Sequence, residues 1–136
     1  MAQSTTERGD QLQVELVAAD RTVWSGQATM VIARTTEGDV GVLRNHAPLL
    51  SLLVPGVVEI SAVDGEDQVA AVDGGFLSVA NNRVSILSEH AVLSHEIDVE
   101  QARADLESAE GDSESEDAEE RVKRAEARIR AAEKAS

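Results

Sequence analysis

Residues 94–106 read Ser94-His95-Glu96-Ile97-Asp98-Val99-Glu100-Gln101-Ala102-Arg103-Ala104-Asp105-Leu106, and inside this stretch the spacing of apolar residues changes. From Val99 onward, Val99, Ala102, Leu106 and Ala109 step by three, four and three residues, the period of a helix with one face turned inward. Asp98 stands where such a helix needs an N-cap, and Gln101 is in capping-box position three residues on. Upstream the period is two. This change divides the chain into a polar, flexible N-terminus (1–11), a β domain (12–96) and a helical hairpin (97–136).

Reading back from the boundary, Leu12, Val14, Leu16 and Ala18 face one way and Gln13 and Glu15 the other, as in a half-buried strand. Ala19-Asp20-Arg21 reads as a turn. Ala28, Met30 and Ile32 resume the alternation, with Thr29, Val31 and Ala33 opposite. Further strands are expected over Asp39–Leu43, Leu49–Val54, Val57–Val63, Gln68–Val72, Phe76–Ala80 and Arg83–Leu87. Their separators are Pro55-Gly56, Asp64-Gly65, Asp73-Gly74-Gly75 and Asn81-Asn82, residues that tolerate positive φ or preset their own. Short strands this closely spaced predict a sandwich or flattened barrel, not a parallel sheet with crossover helices. Phe76 is expected to seal its interior and Trp24 to plug its core or rim.

Reading forward, Ala118, Val122, Ala125, Ile129 and Ala132 form a second helical stripe after the acidic link at residues 111–117. Asp98 to Glu120 carries eleven acids and one arginine, whereas Arg121 to Ser136 carries six Lys or Arg and two Glu, so the two helices attract one another when folded back. The apolar face is mostly alanine, on which the hydrophobic term of about 25 cal/mol per Å² has little area to act. Two readings stay open: an ordinary exposed hairpin, and an arm that can leave the β domain.

The composition excludes several functions. With 136 residues and a formal charge of -14, the chain supports one core and repels nucleic acid and anionic bilayers. It lacks cysteine, and Trp24 and Phe76 are its only aromatic residues, so it has neither thiol chemistry nor a stacking platform for bases. His46, His90 and His95 do not form a metal motif, Gly38, Gly41, Gly74 and Gly75 do not form a phosphate loop, and no nucleophile elbow is present. These glycines read as turn or bulge residues. The expectation is a noncatalytic, soluble cytoplasmic chain that needs no cofactor and reaches a membrane only through another protein.

The run Gly38-Asp39-Val40-Gly41-Val42-Leu43-Arg44-Asn45-His46-Ala47-Pro48-Leu49-Leu50 is followed by Pro55-Gly56, by Asp73-Gly74-Gly75-Phe76-Leu77-x-Val79 and by Asn82-x-Val84-x-Ile86-Leu87. In this order and spacing they resemble the epsilon subunit of the F-type ATP synthase, the delta subunit in mitochondrial naming. Val14-Glu15-Leu16-Val17 and Val23-Trp24-Ser25-Gly26 fit the same pattern, so the match runs from about Leu12 to Ala109.

The resemblance implies a mainly β chain with an α tail: an N-terminal ten-stranded β-sandwich, or flattened barrel, followed by a C-terminal antiparallel two-helix hairpin. It implies a noncatalytic rotor subunit of the central stalk, peripheral on the cytoplasmic side of the cell membrane as part of F1. Such a subunit binds gamma and the c-ring, couples proton-driven ring rotation to ATP synthesis, and reaches alpha and beta through a hairpin that inhibits ATP hydrolysis. The c-ring-facing loop would use Asp39, Arg44, Asn45 and His46, with His46 read either as a ring contact or as support for the loop. The structural turns would be Gly38, Gly41, Pro48, Pro55, Gly56, Gly74 and Gly75, and Leu49-Leu50 would return the chain to the core after Pro48.

Where nucleotide-binding members of the family carry Ile/Leu-Asp-x-x-Arg-Ala, this chain reads Ile97-Asp98-Val99-Glu100-Gln101-Ala102, and a glutamine cannot offer phosphate a cationic fork. A weak nucleotide or gamma contact would then rest on Ile97, Asp98, Gln101, Arg103, Arg121, Arg124 and Arg128. The sequence from Gly111 to the C-terminus follows the family only in general character. The competing reading is a small ligand- or nucleotide-binding β-sandwich module with a helical tail.

Overall fold

The computed structural model describes residues 11–112 and 114–135. The flexible N-terminus expected over 1–11 lies, apart from Gln11, outside them. The chain runs through β1 (Leu12–Val17), β2 (Thr22–Thr35), β3 (Gly38–Leu43), β4 (Leu49–Ala62), β5 (Gln68–Ala80), β6 (Arg83–Leu87) and β7 (Ala91–Leu93). A single 3-10 turn (Ser94–Glu96) then leads into α1 (Val99–Glu110) and α2 (Ala118–Ala135). The strand order β1-β6-β5-β4-β2 closes on itself because β1 also pairs with β2, while β3 extends β2 and β7 extends β5. The ring is antiparallel except between β1 and β6. Closure leaves these five strands no long free edge, and the pleat directs alternate residues inward. Leu12, Leu16, Val31, Ile60, Leu77 and Ile86 fill the interior and are at most 1% exposed.

The described residues form seven strands, not ten: β4 and β5 each pass through a position expected to break them, and β2 runs over fourteen residues as one strand. Pro55-Gly56 lies inside β4, where Pro55 pairs with Asp73 and Gly56 with Val72. On the other edge of β4 the register jumps from Thr35↔Leu53 to Ile32↔Glu59, so three residues of β2 are passed by six of β4. Pro55, which has no N–H to donate, falls in that irregular span.

Asp73-Gly74-Gly75 likewise lies inside β5, where one edge of the strand changes neighbour from β7 (Val72↔Ala91) to β6 (Phe76↔Leu87). Both glycines have positive φ, 107° and 118°, and a Cβ on Gly75 would stand 1.9 Å from the Leu87 carbonyl oxygen. These glycines permit a close backbone approach in mid-strand and do not reverse the chain. Gly41, expected as a turn, sits within β3. Gly38 opens β3 with φ 112°, and Asn81 and Asn82 make the β5–β6 reversal at φ 51° and 60°.

Three expectations about orientation change. In β2, Ala28 is buried but so are Val31 and Ala33, with Met30 and Ile32 only half-buried, because a bulge between Ala28 and Met30 shifts the phase by one residue. Phe76 does not seal the interior: Leu77 and Val79 point inward, leaving Phe76 49% exposed on the outer face. Leu49 packs against the core as expected, but Leu50 is 72% exposed. Trp24 is half-buried against the core.

The Asp98 carboxylate accepts the Gln101 amide at 3.1 Å and caps α1. The Gln101 side chain, however, donates onward to Asp105 (2.9 Å) rather than closing a box. α2 packs on α1 and on β4 and β5. It buries Ala118 and Ala125 along the expected stripe, and Ala127 and Ala131 on a second face that, with Ala71, Val57, Val69, Val92 and Ile97, forms a small satellite core.

We expect Gly75→Ala to lower unfolding free energy by about 3 kcal/mol or more, since it combines an unfavourable φ with a backbone clash. Gly41→Ala, whose added Cβ meets nothing within 4 Å, should stay within about 0.5 kcal/mol of the parent. Urea titration of both variants checks the pair.

Candidate functional site

Three surfaces carry chemistry. The first is the β3–β4 loop. Asn45, at φ 64°, donates its backbone amide to the Asn82 side chain, and Asn82 returns a bond to the Asn45 side chain at 3.4 Å. The β3–β4 loop is thereby tied to the β5–β6 turn. His46 is held inside its own loop, its amide donating to the Leu43 carbonyl (3.1 Å) and Nδ1 lying 2.7 Å from the Ala47 carbonyl. Arg44 and Pro48 are exposed, and Leu43 and Leu50, 56% and 72% exposed, flank the loop on either side.

Asp39 does not join this group. It lies toward the other end of β3, roughly 15 Å along the strand from Arg44, and accepts the Arg34 Nε at 3.0 Å. That hydrogen bond, then the Arg34 charge and the more distant Lys134 and Arg130 charges of α2, hold its carboxyl below the usual range. The structure therefore brings Arg44, Asn45 and His46 together and leaves Asp39 on the hairpin side.

The second surface is apolar. Leu52 pairs with Phe76 and Phe76 with Leu87, setting three exposed side chains in a row across β4, β5 and β6. Leu50 extends the row along β4, and an open groove of about 460 Å³ beside it is lined in part by Val17, Ala18, Gly75, Phe76 and Leu87. Large apolar side chains grouped outside a filled interior mark a contact surface. Alternation in the sequence could have found it once the phase of β5 was known, since Phe76 and Ser78 must share a face opposite Leu77.

The third surface is the seat of the hairpin. Asp73, whose side chain is 6% exposed, meets two arginines of α2: Arg128 Nη2 lies 3.2 Å from Oδ1 and 3.3 Å from Oδ2, and Arg124 Nε lies 3.9 Å from Oδ2. Arg121 turns instead to Asp112 (2.7 Å) and Asp117 (3.4 Å) at the link. Between the helices is a cavity of about 170 Å³ lined by Asp105, Ser108, Arg121, Arg124, Ala125 and Arg128. Of the residues expected at a nucleotide or gamma contact, only these three arginines line it; Gln101 is engaged with Asp105, Asp98 is spent on capping, and Ile97 packs in the satellite core. Arg103 is exposed on α1. Sequence reading missed Asp73. Its signal was a lone acid in the apolar run Val69–Leu77, opposite arginines four apart on a helix.

The junction between barrel and hairpin has its own fastening. Arg21 donates to both Glu96 oxygens (2.8 and 3.0 Å), and Glu96 Oε1 also accepts the Leu93 amide at 3.0 Å. These bonds, Arg21 first, bring the Glu96 carboxyl from 4.5 to about 2.

Residues 11–94 match the model of the ATP synthase delta/epsilon chain β-sandwich domain. The chain belongs to the ATP synthase delta/epsilon family. It is 59% identical over 92 residues to the ATP synthase epsilon chain of Streptomyces avermitilis, covering 68% of this chain and 74% of that one. To the epsilon chain of Rhodococcus opacus it is 56% identical over 95 residues, covering 69% and 78%. Its fold superposes with TM-score 0.78 and 29% identity on a chain in the mitochondrial ATP synthase of Euglena gracilis solved with OSCP, F1 and the c-ring, over 90% of this chain and 81% of that one. This delta/epsilon chain is a noncatalytic subunit of the central stalk that couples the rotor to F1.

The Glu96 carboxylate contributes stability that is fully present above pH 4.5 and is lost as pH falls toward 2, because its folded value lies below its unfolded one. Glu96→Gln should therefore flatten the dependence of stability on pH between 4.5 and 2. Trp24 fluorescence during urea unfolding at a series of pH values measures the slope.

Proposed function

We propose that this subunit binds gamma through the Leu52–Phe76–Leu87 row and faces the c-ring with the Arg44–His46 loop. The observation that carries the reading is the row itself: three exposed apolar side chains in cross-strand register on a barrel whose interior is already filled. Burying them against a partner removes about 1.5–3 kcal/mol of exposed apolar cost per side chain. The ring loop is polar, charged at Arg44 and pinned at Asn45, which suits a contact that stays wet and keeps its shape under torque. Arg44 would meet an acidic ring-loop residue. His46, bonded within its own loop, serves chiefly to hold it, and Asp39 is reassigned from the ring to the hairpin side.

The chain would then lie peripherally on the cytoplasmic side of the membrane, attached through F1; none of its described helices is long and apolar enough to cross a bilayer. The functional division follows the change of period, with the β domain (12–96) as the coupling body and the hairpin (97–136) as the arm. If each of the long strands β2, β4 and β5 is counted as two, the ten strands of the family sandwich are recovered. The arm would act on ATP hydrolysis by leaving its seat and reaching alpha and beta. A nucleotide could approach Arg121, Arg124 and Arg128, but each already faces a carboxylate or lines a cavity shared with Asp105, so the reading assigns no cofactor.

Replacing Leu52, Phe76 and Leu87 together by Ser should leave the barrel folded and abolish recovery of gamma when the tagged subunit is pulled from solubilised membranes. Full recovery of gamma would refute the assignment of this face. Truncation before Asp98 should preserve assembly and raise ATP hydrolysis modestly; unchanged hydrolysis in an intact membrane complex would remove the inhibitory role.

A further inference from the structure

We propose that Asp73 is an internal latch, and that the docked state of the hairpin is set by its pairing with Arg124 and Arg128 more than by apolar packing. The inference rests on the reading of the hairpin as a releasable arm. It adds the residue that decides release.

The apolar part of the seat is thin. α2 presents Ala127 and Ala131 to Ala71, with partly buried Val57, Val69, Val92 and Ile97 around them. A buried alanine methyl removes a fraction of the area that a leucine would. Against this, the seat encloses one carboxylate almost completely, its side chain 6% exposed, and supplies two guanidinium groups from successive turns of α2. A carboxylate so far from water is tolerable only while its cations are present. Arg124 and Arg128 keep 40% and 27% exposure, so they can rehydrate when the helix leaves, and the pairing is reversible.

The position of Asp73 within β5 suits this task. It precedes Gly74-Gly75, where β5 changes neighbour, and its own amide is held by the His90 carbonyl at 3.1 Å. The latch is therefore mounted on the backbone of the closed ring, and its side chain is aimed at the arm. A second ion pair, Lys134 to Glu59 at 3.5 Å, lies toward the far end of α2, where both partners are exposed by more than a third. Screening leaves such a pair little influence on docking.

The chain has no cysteine, so Asp64→Cys on the β4–β5 loop and Glu126→Cys on the outer face of α2 give a unique label pair in the full-length subunit. Distances between spin labels report the open-to-compact ratio directly, whether or not release inhibits hydrolysis. Asp73→Asn, nearly isosteric, should raise that ratio by about tenfold or more, and Asp73→Glu should restore much of the compact population. Glu37→Gln, an equal loss of charge at an exposed turn, should leave it unchanged. If Asp73→Asn keeps the parent ratio, or moves it no further than Glu37→Gln does, the latch is refuted. If Asp73→Asn fails to fold, as judged by Trp24 emission, the double variant Arg124→Gln, Arg128→Gln decides: a raised ratio supports the latch and an unchanged one overturns it.

Discussion

The backbone of β1 is hydrogen-bonded on both sides, antiparallel to β2 and parallel to β6, and this closure determines what the remaining residues can do. Once the five-strand ring is shut, inward positions on every strand compete for one interior, and aliphatic side chains from Leu12 to Ile86 occupy it. A large apolar residue out of phase has nowhere to go but the outer surface. Phe76, Leu52 and Leu87 are in that position, so the contact surface is a direct consequence of a core that is already full.

Closure also explains the demands on backbone geometry. Two of the three long strands serve three neighbours each, β2 with β1, β3 and β4, and β5 with β4, β6 and β7. β2 gives one edge first to β1 and then to β3; β5 gives one edge first to β7 and then to β6. At the second changeover the chain uses Gly74 and Gly75, and the Leu87 carbonyl fills the space that a side chain would need. The same corner carries Asp73 outward to α2, which places the seat of the arm and the edge of the apolar row on adjoining parts of β5.

The two parts of the molecule are held by different forces. The barrel is stabilised by buried aliphatic area and a continuous ladder, both weakly sensitive to local charge. The hairpin rests on alanine methyls with a few partly buried aliphatic side chains, and on pairs of barrel carboxylates with Arg124, Arg128 and Lys134. On the proposed reading of the hairpin as a releasable arm, the acidic α1 and basic α2 would stay folded on one another while the seat is empty. A rigid barrel suits a rotor subunit that must transmit torque, and the proposed release of the arm would add regulation without loosening the barrel.

The amino-acid sequence by itself determined the change from period two to period three-and-a-half near Asp98, the buried stripe of β1, the Asn81-Asn82 reversal and the family, because each depends on neighbours within a few residues or on an ordered set of motifs. It also showed a mostly alanine helical face and its opposed charges. It did not determine whether Pro55-Gly56 and Gly74-Gly75 end strands or lie within them, because proline and glycine favour turns locally, and only the neighbours across the sheet decide whether a missing N–H or a positive φ is used in mid-strand. Nor did it determine that Phe76 faces outward, or that Asp73 meets Arg124 and Arg128. Those facts depend on strand phase and on contacts more than fifty residues apart along the chain, which exist only after the ring has closed and the hairpin has folded onto it.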